Sequence, residues 1–512
     1  MTDRRPSIEP LESRRLLAVA PGFPMTAGYP ERYDWGSAIA ADAAGNVYVA
    51  GSFRVQIDMD PSPKRTSLLN AVDKEERDIF LAKYTSAGKL LWSRLMWSRG
   101  DDEVRDLRID PGSGDIALIG VFGGVLSFPQ ASGRTPTVSS HGGGDVFIAR
   151  LTRDGAFRWA GSVGGGENDG GGRLAFAPNG DLYYAATIRM SGDIDPTAKG
   201  IRQITTRGVD DQVIARIDGR NGRLKSFQVF GEGDSLEDVT GLEVVPGGDV
   251  VAVGSFMRRV AFDRSDSAFT RRSRSEDSQD VYMARLTPAL KYRWLNTVAS
   301  EGTDKPMAVT LGPGGLYVAG VFEEPADFDP SSKTAILSPV SDRDVFVARY
   351  NFNGSLKWAR NFGGNDAQII PTAISVDAAG NVYTVGTFDE WVDFDPSAGV
   401  FSLGVDDDDK DLEGDEEDFF RSYFNDRHAP EQPDMFVQKL SASGAFVTAV
   451  QLGGRYGSLA ATDALVDAAG NLYTTGFFTH KVDFDPAPKS EYYRRTYRGD
   501  GDFDWFVNKF AV

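Results

Sequence analysis

Apolar residues occur in short runs separated by turn signals, and none of the runs has helical spacing. The stretch from Gly315 to Asp366 shows the pattern best. Gly315-Leu-Tyr-Val-Ala-Gly320 and Asp344-Val-Phe-Val-Ala-Arg-Tyr350 are rich in β-branched and aromatic residues, which predicts strands. Asn353-Gly354 lies between the second run and Leu356-Lys-Trp358-Ala. Both residues tolerate positive φ, so the pair predicts a tight hairpin. Ala308-Val-Thr-Leu311 followed by Gly312-Pro-Gly-Gly315 adds a further strand and turn. The unit is four antiparallel strands joined in chain order. Val345, Phe346, Val347 and Ala348 are apolar at successive positions, so the sheet needs cover on both faces. An adjacent copy of the same sheet is the economical cover.

The chain contains such copies. The second-strand motif begins at Asn46, Asp115, Asp181, Asp249, Gly315, Asn381 and Asn471, at spacings of 69, 66, 68, 66, 66 and 90 residues. The third-strand motif begins at Asp78, Asp145, Asp211, Asp280, Asp344, Asp434 and Asp504. Trp92, Trp159, Trp294 and Trp358 mark the fourth strand, and Phe227 takes that place in the third copy. The tryptophans read as core wedges rather than a stacking platform. Seven sheets buried on both faces predict an all-β fold: a seven-bladed β-propeller of four-stranded antiparallel blades. The unit exceeds the WD repeat of roughly 40–45 residues, and the surplus lies between strands two and three.

The last copy stops after its third strand. Phe23-Pro-Met-Thr-Ala-Gly28 precedes Asp42-Ala-Ala-Gly45 as Trp358-Ala-Arg-Asn-Phe-Gly363 precedes Asp377-Ala-Ala-Gly380. The expectation is that the N-terminal strand completes the last blade and removes an open edge.

The series Asp344-Val-Phe-Val-Ala-Arg, Leu356-Lys-Trp-Ala, Gly363-Gly-Asn-Asp and Asp377-Ala-Ala-Gly-Asn-Val-Tyr-Thr-Val-Gly resembles the bacterial SBBP repeat, named for the seven-bladed propeller. The resemblance covers about residues 23–512. It implies an extracellular or cell-surface bacterial protein and no particular activity. Glu9-Pro-Leu-Glu-Ser-Arg-Arg-Leu-Leu17 resembles the LEPR-XLL motif of bacterial surface proteins, which supports export. Residues 1–20 are expected to stay apart from a single propeller spanning 21–512. Leu16–Ala20 is too short for a signal-peptide core of about 7–15 residues.

Composition narrows the function. The 512 residues include no cysteine, which excludes disulfides, thiolate metal sites and a thiol nucleophile. His141, His428 and His480 fall in different copies, so a histidine triad would need them to converge. The formal charge of −19 argues against nucleic acid and anionic membrane as partners and favours divalent cations. No apolar run is long enough to span a membrane as a helix. Arg271-Arg-Ser-Arg274 has Glu276 and Asp277 beside it and reads as a solvated face.

The sixth copy carries an acidic insertion over about residues 404–433, with ten acids against one base between Asp406 and Asp418 and aromatics from Phe419 to Phe424. Such a block repels itself, and it reads as a variable loop or a partner-binding arm.

One polar pattern recurs. Asp-x-Asp-Pro appears as Asp58/Asp60, Asp193/Asp195, Asp327/Asp329, Asp393/Asp395 and Asp483/Asp485. Alternate residues of an extended chain share a side, so the two carboxylates repel unless neutralised. Calcium is the candidate ion. The other reading is structural: the aspartates cap a turn and pair with third-strand bases such as Lys83, Arg216, Arg349, Lys439 and Lys509. Asp500-Gly-Asp-Phe-Asp504 has acids at calcium-loop positions but lacks the later Gly and Glu. The functional expectation is a non-catalytic surface scaffold for a protein or glycan partner. Its rivals are a carboxylate-dependent hydrolase or lyase and a self-associating envelope protein. Copy-specific loops are evident, but no convergent cluster of unmatched polar residues is.

Overall fold

The computed structural model describes residues 18–20, 23–27, 34–130, 133–404, 430, 432–454, 457–486, 492–496 and 503–511. The LEPR-XLL-like segment, most of the acidic insertion and Asp500 lie outside them. The fold is all-β and propeller-like. In the fifth copy, strands Asp304–Gly312, Gly315–Phe322, Asp344–Tyr350 and Leu356–Phe362 pair antiparallel in chain order. The other copies follow this plan, with the first strand of the fourth split into Leu236–Glu237 and Gly241–Val244. The surplus between strands two and three forms a separate hairpin in most copies, such as Gln56–Asp58 with Leu68–Asn70. In the second and third copies it prolongs the ladder past a bulge.

Successive residues of one strand point to opposite faces, and both faces are covered. Ile79 and Leu81 pack with Leu118 and Phe147 of the second copy. Phe80, Ala82 and Tyr84 pack with Tyr473, Trp505 and Val507 of the seventh. The first copy therefore touches both its successor and the last copy. First strands also meet: Ile369–Val376 contacts Leu459–Val466, which contacts Trp35–Ala41.

At the N-terminus, Met25–Ala27 pairs with Phe503–Ala511, Met25 lying opposite Val507. Phe23 meets Tyr473 edge-on at 5.9 Å, as Trp358 meets Tyr317 at 6.3 Å, so the alignment of Phe23 with Trp358 holds in register. The expectation that residues 1–20 stay apart fails at their end. Ala18–Val19 also pairs with Phe503–Ala511, and the Ala20 N–H donates to the Lys509 carbonyl at 2.9 Å. The long last strand has backbone groups beyond Met25 that need partners, and this segment supplies them.

A second correction concerns the tryptophan position. Trp92, Trp159, Trp294 and Trp358 lie opposite Lys83, Arg150, Arg285 and Arg349. In the third copy Ser226, not Phe227, lies opposite Arg216. A one-residue offset turns a side chain to the other face. Phe227 accordingly packs toward the second copy, with the Arg202 guanidinium 4.7 Å above its ring.

Candidate functional site

The Asp-x-Asp-Pro segments form corners after the second strand. Asp58 Oδ1 accepts the N–H groups of Asp60 at 3.0 Å and Ser67 at 2.7 Å. Asp60 Oδ1 accepts from Ser62 N–H at 3.0 Å, and its Oδ2 faces Arg65 at 3.2 Å. Asp193 repeats the first arrangement with Asp195 and Arg202, Asp327 with Asp329 and Ala335, Asp393 with Asp395 and Phe401, and Asp483 with Asp485 and Tyr492. The first aspartate thus closes the corner, and Asp60, Asp195, Asp329 and Asp395 each cap the following turn.

The middle residue carries the packing. Met59, Ile194, Phe328, Phe394 and Phe484 are fully buried, as are Phe128 and Phe262 in the two departing copies. The hydroxyls of Tyr84, Tyr184 and Tyr350 donate to the carbonyls of Met59, Ile194 and Phe328 at 2.8, 2.5 and 3.0 Å. The carboxylates meet only in twos. Among the described residues no three His, Cys, Asp or Glu side chains converge as a metal-binding group.

The third-strand bases pair with other acids than expected. Lys83 Nζ lies 3.1 Å from Asp42, Arg216 lies 2.5 Å from Asp181 and Arg285 lies 2.8 Å from Asp249, all in or beside the turn between strands one and two. The reason is strand alternation: Tyr84 turns to the corner, so its neighbour Lys83 turns away. The guanidinium groups also reach the next copy, where Arg150, Arg216, Arg285 and Arg349 donate to the carbonyls of Gly219, Pro288, Phe352 and Ala442 at 2.7–3.0 Å. Burial opposes ionisation of Asp181, but its bonds to Lys225 and Arg216 outweigh this and hold its carboxyl below the usual range.

The strongest departure from repetition is a cavity of about 200 Å³ bounded by the first strands of all seven copies. Arg105, Asp106 and Arg108 enter it from the second copy, Arg173 from the third and Asp463 from the seventh. Arg108 bridges Asp106 at 3.1 Å and Glu243 of the fourth copy at 3.5 Å. Asp106 Oδ2 accepts the Leu174 N–H, and Asp463 Oδ2 the Ile39 N–H, each at 2.9 Å and each from the following copy. Arg173 Nε donates to the Thr240 carbonyl at 2.5 Å. These charges therefore act as struts between consecutive first strands. Burial pushes Asp463 up to about 6, against its backbone N–H bond and Arg108. Burial also raises Glu243.

This cluster is missed by a reading of motifs, because its members are the residues that do not repeat. Aligning the first strands would reveal it: Asp106 and Asp463 occupy the position that is Ala38, Ala308 and Ala373 elsewhere.

Outside the cavity, large exposed apolar side chains gather on the connections between strands two and three. They include Leu68, Val72, Met190, Ile201, Ile336, Val340, Trp391, Val400 and Tyr492. The basic loop is solvated, with Arg272 paired to Glu276 and Arg274 to Glu301 at the surface. His141 bonds Asp145 at 2.7 Å within its own copy, and His428 lies outside the described residues.

A family model described as SBBP, beta-propeller repeat, matches residues 357–387. Over 219 residues the chain is 28% identical to Regulatory protein FlaEY of Caulobacter vibrioides, a match covering 42% of this chain and 21% of that protein. The chain spans about a fifth of that relative's length. Among solved structures, polysaccharide lyase Uly1 is similar at 10% identity, with 98% of this chain and 96% of that chain covered and a TM-score of 0.41. Quinohemoprotein alcohol dehydrogenase ADHIIG from Pseudomonas putida HK5 is similar at 9% identity, with 95% and 76% covered and a TM-score of 0.36. The segment matched by the family model runs from the fourth strand of the fifth copy through the second strand of the sixth, a part of the unit that recurs along the molecule, and over it the chain is similar to an SBBP beta-propeller repeat.

Proposed function

We propose that the sheets are the seven blades of one closed ring, the last completed by the N-terminal strand, and that this ring is an exported, non-catalytic scaffold. It binds a protein or glycan partner through the connections between strands two and three. Closure is supported by the apolar clusters that join each sheet to the next and the seventh to the first. Export is supported by the LEPR-XLL-like segment.

The observation that carries the binding reading is the series of exposed apolar side chains on these connections. Ile201 is 79% exposed and Val400 71%. Exposed apolar residues concentrated on loops of a rigid frame mark interaction sites. The cavity favours this reading over hydrolysis or lysis, because its aspartates are occupied by backbone N–H groups and Arg108.

The test combines Ile201→Ser, Ile336→Ser, Trp391→Ser and Val400→Ser. Retention on immobilised bacterial surface proteins and polysaccharides is compared with that of the unaltered chain. A fall of tenfold or more at unchanged Tm supports the reading. Equal retention overturns it, as does polysaccharide cleavage abolished by Asp463→Asn. Sedimentation that shifts with protein concentration, and is lost in the variant, would identify the partner as a second copy and support the envelope role instead.

A further inference from the structure

Each third strand opens on or carries a buried aspartate facing the next copy, and in several copies the following first strand opens on a second acid. The Asp102 N–H donates to the Arg77 carbonyl at 2.9 Å, and the Asp304 N–H to the Gln279 carbonyl at 2.7 Å. These bonds bring Asp102 beside Asp78, and Asp304 beside Asp280, at the seams between copies. Asp102, Asp280 and Asp304 are fully buried and Asp78 is 2% exposed.

At least one oxygen of each carboxylate is engaged, and Asp78 takes the Ser98 N–H as well as that of Val72. Val72 and Arg274 N–H groups donate to Asp78 Oδ2 and Asp280 Oδ2, each at 2.7 Å. Ser98 and Ser300 hydroxyls donate to Asp102 Oδ1 at 2.7 Å and Asp304 Oδ1 at 3.0 Å. Among the described residues Asp102 Oδ2, Asp280 Oδ1 and Asp304 Oδ2 have no hydrogen-bond partner. Burial, added to by the neighbouring acid, pushes Asp102 and Asp304 up to about 8. A buried, unpaired carboxylate oxygen is among the costliest arrangements in a protein interior.

Four other seams lower the charge instead, although Asp145 Oδ1, Asp211 Oδ1 and Asp344 Oδ1 likewise have no hydrogen-bond partner among the described residues. Where Asp211 approaches Glu237, Arg264 pairs with Asp211, and Arg264 stands where five other copies have proline. Where Asp145 approaches Asp169, His141 bonds Asp145. At the last two, the second acid is replaced by Ile369 and Leu459. There Asn361 and Gln451 donate to Asp344 and Asp434 at 2.7 and 2.5 Å. Among the described residues the Asp78/Asp102 and Asp280/Asp304 seams keep both acids and have neither a paired base nor a side-chain amide donor; the Asp504/Asp34 seam also keeps both acids.

We propose that the Asp78/Asp102 and Asp280/Asp304 pairs each hold a calcium ion between neighbouring copies. Calcium is a hard cation that accepts carboxylates together with backbone carbonyls and water, so two acids suffice as its charged ligands. The sites are distinct from the Asp-x-Asp-Pro corners, whose first aspartates are filled by backbone N–H groups. At the third-to-fourth seam the Arg264 guanidinium occupies the equivalent role.

The experiment uses the full chain, stripped with chelator and titrated with calcium chloride, with bound calcium counted by atomic absorption and calorimetry. Asp102→Asn and Asp304→Asn should each remove one tight ion and the double variant two, while Asp327→Asn removes none. Tryptophan-sensitised terbium emission from the unaltered chain, displaced by calcium, gives a readout independent of variant folding. The absence of any saturable ion on the unaltered chain overturns the proposal. So does a calcium count that the two substitutions leave unchanged. A pair sharing a proton would show as no bound ion with proton uptake near neutral pH, and that too overturns it.

Discussion

Trp358 lies so close over Gly444 that a Cβ added to the glycine would fall 2.8 Å from the indole Cδ2. The glycine belongs to the turn between strands three and four of the following copy and has φ +78°. The indole also donates to the Ala442 carbonyl of the same turn at 3.2 Å. Trp92 over Gly155, Trp159 over Gly222 and Trp294 over Gly354 repeat the contact. Here glycine answers both a left-handed backbone and a lack of space. Gly444→Ala should therefore destabilise the chain by about 1–3 kcal/mol, the usual cost of overpacking. Urea denaturation followed by tryptophan fluorescence checks this, and an unchanged midpoint would mean that the indole moves aside freely.

The seam between the third and fourth copies solves the same packing problem in reverse. Ser226 stands at the tryptophan position, and the facing turn has Leu290, buried and at φ +59°, where other copies have glycine. A branched side chain at positive φ is strained, which its packing offsets. Leu290→Gly relieves the strain but opens a cavity, so it should destabilise by somewhat less than the about 2–5 kcal/mol of an ordinary buried leucine truncation. Adding Ser226→Trp should recover most of that loss. Strict additivity of the two changes in a double-mutant cycle would show that the positions do not compensate each other.

The architecture is legible in the sequence because each copy states it again. Strand order, the covered second face and the pairing of Met25–Ala27 with the last strand all follow from comparing one copy with the next. What escaped is what depends on which face a residue occupies. Phe227 and Ser226 are neighbours, and only the register decides which replaces tryptophan. Lys83 pairs with Asp42 rather than with a corner aspartate for the same reason, since Tyr84 holds the face toward the corner. The cavity charges Asp106, Arg108 and Asp463 escaped because a search for recurrence passes over residues found in one copy only.

The N-terminal segment should contribute measurably to stability. Phe23 and Met25 are 3% and 1% exposed, and both belong to the apolar cluster joining the first and seventh copies. Removing residues 1–17 should leave the Tm unchanged within a degree or two. Removing residues 1–28 uncovers Tyr473, Trp505 and the edge of the last strand, and should lower the Tm and promote association through that edge. Differential scanning calorimetry with light scattering measures both. A long truncation that melts like the short one would exclude a fastening role.

The corners predict a ranking of substitutions. Phe328 is fully buried and packs on Phe322 and Phe346 at 5.7 and 5.0 Å. Phe328→Ala should cost about 3–5 kcal/mol. Asp327→Ala removes the acceptor for two backbone N–H groups and should cost about 0.5–2 kcal/mol, as loss of a turn or helix cap does. The order of urea midpoints is the measurement. If Asp327→Ala proves the more damaging of the two, the aspartate does more than close the turn.

Asp463 should make the cavity sensitive to pH. Its carboxyl is pushed up from 3.8 to about 6, chiefly by burial. In the unfolded chain an aspartate titrates near 3.9, so between the two values the folded state holds the proton more firmly. The stability tied to this proton is present below about pH 4 and is lost as the pH rises through 6. Asparagine cannot ionise, so Asp463→Asn removes that part of the pH dependence. The variant should melt below the unaltered protein at pH 4.5, because its amide serves the Ile39 and Ala464 N–H groups less well than the carboxyl group does. The gap should narrow by pH 7.5, where the unaltered chain carries a buried charge only partly balanced by Arg108. Melting curves of both proteins across this range decide the matter. A gap that stays constant, or widens with rising pH, would show that Asp463 is ionised throughout and that Arg108 governs its titration.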